Sequence, residues 1–240
     1  MFDAHCHLEG FERPQEMLGH CKSRLNGLIT CGSDLPTSKR NIGLAEANKD
    51  YVWCAAGLAP QIAMGTSETV IQHTIDYVRG QAGKLAAVGE IGLDYKWAKD
   101  EEGRARQVRA FEAQLALAHE LNLPVVIHLR EAEEKGFELL AKSGCERVML
   151  HCFSGSAELA KRAADAGWFV SVPPLRSRSR TEAVKSVEPE YLLAESDAPA
   201  IGKDLLACFA GAEIIAEARG MKREDVEGLV EKNCRRLFRL

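Results

Sequence analysis

The chain alternates short apolar runs with amphipathic stretches, and that alternation constrains its fold more than any other feature. The runs are Phe2–Leu8, Leu28–Cys31, Val52–Leu58, Leu85–Ile91, Pro124–Leu129, Val148–Cys152, Trp168–Val172 and Leu192–Ala194. They recur every roughly 20 to 40 residues, as strand–helix units require. Each run is apolar on both faces, the pattern of strands buried in a parallel sheet. The stretches between them carry a helical period. In Gln107–Leu121, Val108, Phe111, Leu115, Ala118 and Leu121 share one face. Ser154-Gly-Ser156 caps a helix over Ala157–Ala166 that stops at Gly167, and Glu224–Leu237 reads as a closing amphipathic helix. The expected architecture is α/β, a TIM-like (β/α)8 barrel. A doubly wound sheet is the other arrangement this pattern admits. The 240 residues fit one barrel domain over 1–240, since such barrels run to about 250 residues.

Composition narrows the class. The net charge of −4 gives no general attraction to nucleic acid or anionic membrane, so polyanion binding needs a local patch. The eight cysteines form no C-x-x-C pair and sit mostly in apolar runs, where free thiols pack as small hydrophobes. The opening MFDAHCHLEG has no basic or apolar leader pattern. No apolar run approaches the roughly 18 residues of a membrane span. These points lead to the expectation of a reduced, cytoplasmic setting with no membrane contact.

The titratable groups fall at strand ends. His5 and His7 lie two apart on the first run, so both imidazoles face the same side while Cys6 faces the other. Glu90 lies near the end of the fourth run, His128 and His151 end the fifth and sixth, and Asp197 follows the eighth. In a barrel, the C-terminal strand ends form the active-site face. Alone, each residue has an ordinary reading: a core histidine, a buried ion pair at Glu90, a helix cap at Asp197. His20, His73 and His119 are read that way. Six such groups at one end of a barrel are different, because burying them unpartnered costs several kcal/mol each. Bound divalent cations remove that cost. Six protein ligands exceed what one catalytic ion takes, since it keeps an open position. Two ions sharing Glu90 fit better, about 3.5–4 Å apart. Imidazole and carboxylate together admit magnesium, manganese, zinc or cobalt.

These residues also lie in five ordered blocks. They are Asp3-Ala-His5-Cys-His7-Leu8, Gly89-Glu90-Ile-Gly92-Leu-Asp94-Tyr95, Pro124-Val-Val-Ile-His128-Leu-Arg130, His151-Cys-Phe-Ser-Gly155 and Glu195-Ser-Asp197-Ala-Pro199. The set resembles the TatD family of metal-dependent deoxyribonucleases and hydrolases, and Asn233-Cys-Arg-Arg-Leu-Phe238 is similar to that family's closing helix. The resemblance implies a metal-dependent hydrolase barrel that cleaves DNA phosphodiester bonds with water, often as a 3′-to-5′ exonuclease. It implies that His5, His7 and Asp197 hold one ion, that His128 and His151 hold a second, and that Glu90 bridges them. It makes Glu90 and Asp197 the catalytic pair, with Asp197 orienting or deprotonating the attacking water.

Three positions depart from the family pattern. Ala59 stands where a G-x-H-P histidine is usual, a basic loop after Asp197 is shortened, and Glu9 replaces a common aspartate. Lys203–Ala212 reads as helix in place of that loop. Arg176, Arg178 and Arg180 follow the seventh run and Arg130 follows His128, so these four are the candidate phosphate contacts. Lys96 and Trp97 follow the fourth run, where an indole could stack on a base. The expected partner is DNA or a small phosphodiester, with no obligate protein partner. Two other readings stand beside this one. One is a metal-dependent amidohydrolase or esterase acting on a small acyl compound, and the other is a barrel that binds a partner without catalysis.

Overall fold

A computed structural model describes residues 1–240. All eight apolar runs form strands: β1 (Phe2–Cys6), β2 (Gly27–Cys31), β3 (Val52–Ala56), β4 (Ala87–Asp94), β5 (Val125–Arg130), β6 (Val148–Leu150), β7 (Phe169–Val172) and β8 (Leu192–Ala194). Ten α-helices intervene or follow: α1 (Pro14–Cys21), α2 (Leu35–Ala47), α3 (Pro60–Ala63), α4 (Glu68–Gly80), α5 (Glu101–Leu121), α6 (Glu133–Ser143), α7 (Ala157–Asp165), α8 (Arg178–Ser186), α9 (Cys208–Arg219) and α10 (Arg223–Phe238). The spatial order of the strands is their chain order, and every neighbouring pair is parallel. A doubly wound sheet would reverse its order at a switch point, so that arrangement is excluded. The fold is a nearly closed TIM-like (β/α)8 barrel.

The seam between the last strand and the first is held by the segment beyond β8. The Asp197 amide donates to the His5 carbonyl at 3.0 Å, and the His7 amide to the Ala198 carbonyl at 2.8 Å. Asp3, fully buried, reinforces this from inside. Its carboxylate accepts the Ser196 amide at 2.8 Å and the Ser196 hydroxyl at 2.6 Å. Burial holds the Asp3 carboxyl well above the usual range, against the pull of those Ser196 donors. Replacing Asp3 with alanine strands two buried donors at about 1–3 kcal/mol each. We expect a loss of about 2–4 kcal/mol in urea denaturation, and an unchanged midpoint would remove Asp3 from the seam.

The core is the strand interior and the helix faces laid on it. Phe2, Leu28, Ile29, Val88, Ile91, Ile127 and Met149 are buried, and Phe111, Leu115 and Ala118 of α5 close over them. Burying a side chain of the larger kinds contributes about 1.5–3 kcal/mol. The helical spacing read along Gln107–Leu121 is therefore a packing stripe, and α5 begins earlier, at Glu101, where the Asp100 side chain caps the Gly103 amide at 2.6 Å.

Boundaries moved where turn chemistry outranked hydrophobicity. β1 stops at Cys6 because Leu8–Gly10 tightens into a 3₁₀ turn, and β3 stops at Ala56 because Pro60 opens α3. β4 runs past Ile91 to Asp94. The helix expected over Lys203–Ala212 starts at Cys208, since Asp204 caps a 3₁₀ turn over Leu205–Ala207 first. No helix is long and apolar enough to cross a membrane, and all eight cysteines are free.

Candidate metal centre

β1 delivers His5 and His7 to one side with their Nε2 atoms 3.2 Å apart. β4 delivers Glu90 at a slip in register. Its pairing with β5 is irregular between Val88 and Ile91, which re-aims the residue between them. Gly92 then lets the two strands close up beside His128. A Cβ there would lie 2.0 Å from the His128 carbonyl oxygen, and its φ is +143°, so only glycine fits. His128 lies within β5, His151 one residue past β6, and Asp197 beyond β8.

The Glu90 carboxylate divides this group in two. Its Oε2 faces His7 Nε2 at 3.5 Å and His5 Nε2 at 3.8 Å. Its Oε1 faces His128 Nδ1 at 3.0 Å and His151 Nε2 at 3.4 Å. Asp197 Oδ1 joins the first pair, 3.4 Å from His7 Nε2 and 3.5 Å from His5 Nε2. The second pair brings His128 Nδ1 within 3.1 Å of His151 Nε2. Thus the six sequence candidates come together, three residues to one side of Glu90 and two to the other.

The donor set suits divalent ions. Ligand atoms about 2.1 Å from one ion lie about 3.0–3.4 Å from each other at right or tetrahedral angles, which matches the nitrogen pairs and half of the nitrogen–oxygen contacts here, the others being 3.5 to 3.8 Å. Asp197 Oδ1 is buried with no hydrogen-bond partner, an orphan that a cation would satisfy. Three triads, His5–His7–Glu90, Glu90–His128–His151 and His5–His151–Glu195, have ligand atoms close enough to hold an ion, and Glu90 belongs to two of them.

Electrostatics point the same way. Burial disfavours charge on Glu90, but the His151 and His128 imidazoles outweigh it and hold the carboxylate well below its usual range. Asp197 is lowered likewise against its own burial, by the His5 and His7 imidazoles that face it. Burial opposes a charge on His7, yet Asp197 and Glu90 raise it to about 9. His128 and His151 also rise despite burial, through Asp94 and Glu90 for the first and Glu90 and Glu195 for the second. His5 falls, through burial and the charge of His151, whose ring stacks on it at 4.1 Å.

A sign follows for the metal-free protein. A histidine raised above its unfolded 6.5 stabilises the fold fully below pH 6.5, and loses that contribution as pH climbs through 9. The lowered Glu90 and Asp197 contribute above their unfolded values and lose it as pH falls. Metal-free stability is therefore expected to be greatest between about pH 5 and 7. Ion binding near pH 7.5 should release protons, because imidazolium cannot ligate. Calorimetry in buffers of different ionisation enthalpy measures this, and zero release would contradict the charge pattern.

Further side chains orient the ligands and were not among the sequence candidates. His7 Nδ1 lies 3.0 Å from the Cys31 carbonyl, which turns its Nε2 lone pair inward. Glu195 lies 3.7 Å from His151 Nδ1 and accepts the Cys152 amide at 2.6 Å. Asp94 lies 3.0 Å from His128 Nε2. Buried Glu9 is 3.8 Å from His7 Nδ1. Glu195 and Asp94 sit inside the same sequence blocks as Asp197 and Glu90, which was the available signal. His20, His73 and His119 are exposed, as their ordinary reading requires.

The arginines do not share one environment. Arg176 is paired with Glu217, 3.0 Å from its Oε1, and sits 3.8 Å from Glu213, which draws it outward to α9. Arg178 lines a groove of about 420 Å³ with Arg176 and Lys185 between α8 and α9. Arg180 donates to the Leu175 carbonyl at 2.6 Å, and its Nε is buried without a partner. Its charge reaches the thiol of Cys152, next to the ligand His151. Arg130 ends β5, exposed. Ala59 is buried, its amide bonded to the Ser33 carbonyl. Trp97 stands 60% exposed beside Lys96.

Comparison with known proteins agrees with this geometry. The family described as TatD related DNase matches residues 2–239. An uncharacterized metal-dependent hydrolase of Bacillus subtilis, YabD, is 31% identical, covering 100% of this chain and 99% of its own length. The 3′-5′ ssDNA/RNA exonuclease TatD of Edwardsiella piscicida is 31% identical over 95% of this chain and 93% of its own. The crystal structure of YJJV, a TatD homologue of Escherichia coli K12, superposes with a TM-score of 0.87 at 24% identity, covering 100% of this chain and 98% of that one. Strand order, ligand geometry and sequence match over nearly the whole chain thus lead to one conclusion: this chain belongs to the TatD-related DNase family.

Proposed function

We propose that the chain is a divalent-metal-dependent nuclease that hydrolyses DNA phosphodiester bonds, working from a 3′ end. The observation that carries this is the division of Glu90 between two ligand groups, Oε2 toward His5 and His7 and Oε1 toward His128 and His151. In this reading His5, His7 and Asp197 hold one ion, His128 and His151 the other, and Glu90 both. The ions would be magnesium, manganese, zinc or cobalt, and would supply Lewis acidity at the phosphoryl oxygens. Asp197 is the base. Its carboxylate would take the proton of the attacking water, and its lowered pKa keeps it ionised for that role. Arg130, Arg176, Arg178 and Arg180 would be the phosphate contacts, Arg180 being the one whose charge reaches Cys152 beside His151. The names of relatives support a nucleic-acid substrate, one being called a 3′-5′ ssDNA/RNA exonuclease and another, from Homo sapiens, a deoxyribonuclease.

Single- and double-stranded DNA labelled at the 5′ end provide the test. We expect stepwise shortening from the 3′ end, abolished by EDTA. No EDTA-sensitive cleavage with any of the four metals would overturn the proposal. The buried, apolar Ala59 favours a second reading, an esterase or amidohydrolase for a small acyl compound. Turnover of esters or N-acyl substrates with DNA left intact would select it.

A further inference from the structure

Asp94 is fully buried at the end of β4 and has no lysine or arginine partner. Its backbone is fixed independently of its carboxylate. Gln107 accepts the Asp94 amide at 2.9 Å and donates to the Asp94 carbonyl at 3.1 Å and the Pro60 carbonyl at 3.0 Å. The carboxylate itself meets three donors. Oδ2 lies 3.0 Å from His128 Nε2 and accepts Gln61 Nε2 at 3.1 Å, while Oδ1 accepts the Trp97 amide at 3.1 Å. A buried carboxylate is tolerable only with such partners.

His128 differs from the other three histidines in the nitrogen it presents. His5, His7 and His151 turn Nε2 toward Glu90, but His128 turns Nδ1. An imidazole offers a lone pair on one nitrogen only when the other carries the hydrogen. Asp94 is the acceptor that fixes this hydrogen on Nε2. Gln61 keeps Asp94 from turning away, because it donates to the same oxygen. From this we infer that Asp94, braced by Gln61, is a positioning residue that fixes the tautomer and ring orientation of His128, and so sets the affinity of the ion on the His128–His151 side alone. The inference rests on the two-ion reading above.

Zinc binding to the full chain tests it, by competition with a chromophoric chelator and by ions counted per chain. In the wild type, two ions are expected. Asp94→Ala should weaken one of them by about 10–100-fold and leave the other unchanged. Asp94→Asn keeps one oxygen acceptor but turns an NH2 toward one of the three donors, so it should weaken the same ion by less than the alanine variant does. Gln61→Ala should weaken the same ion by less. Circular dichroism confirms the fold in each case, and Gln61→Ala and Asp94→Asn keep the test open if the alanine variant fails to fold. Two ions held with unchanged affinity in folded Asp94→Ala would overturn the inference, as would parallel weakening of both. A wild-type chain that takes a single ion would overturn the two-ion reading, and the inference with it.

Discussion

Glu90→Gln is expected to lower kcat on the order of 10³-fold while leaving the barrel folded. Glutamine has the shape of glutamate, so the packing beneath it is undisturbed. What changes is charge at the one residue that faces both ligand groups. A neutral amide cannot balance two dications, so both ions should weaken together. His151 and His128 also lose the carboxylate that raises their pKa in the metal-free state, so proton release on ion binding should shrink. Turnover, ion count and proton release would fall in step. Near-wild-type turnover with both ions retained would exclude Glu90 from the mechanism.

Asp197→Asn is the second large effect, and it separates ligation from proton transfer. Asparagine keeps an oxygen for one ion but is no base. We expect kcat to fall about 10²- to 10⁴-fold even at saturating metal, with only partial loss of one ion. In the metal-free protein, His7 loses its strongest charge-stabilising partner and its pKa should drop from about 9, which NMR titration would report. Asp197 also holds the barrel seam through its backbone amide, which the substitution leaves intact. A variant that retains wild-type kcat at saturating metal would show that another group takes the proton.

Ala59 and the arginines bear on substrate rather than on chemistry. Ala59 puts a buried methyl after β3, and Gln61, two residues on, is engaged with Asp94. In the proposed nuclease, exposed Trp97 after β4 would offer a base a stacking face. Arg180, after β7, lies across the barrel from β3 and β4, whereas Arg130 ends β5 beside Asp94 of β4. Arg176, occupied by Glu217 and Glu213, can help only by giving up that exposed pair, which costs little.

Most of the barrel was legible in the chain because its information is local. Short two-faced apolar runs can only be central parallel strands, and their spacing leaves room only for crossover helices. The six candidate ligands that gather around Glu90 were legible too, because a strand end is a sequence position and strand ends share one face of a barrel. Local pattern by itself did not decide which nitrogen of His128 faces the centre, which carboxylate braces which imidazole, or where three neighbouring arginines point. Asp94 meets His128 from an adjacent strand, Gln61 reaches Asp94 from α3, Cys31 meets His7 from β2, and Glu217 draws Arg176 from a helix far along the chain. Each is a contact between distant residues made by closing the barrel. Sequence periodicity therefore determined the scaffold and the inventory of donors. The tertiary structure decided their tautomers, partners and division around Glu90, because those depend on distances of a few ångströms that exist only once the strands are side by side.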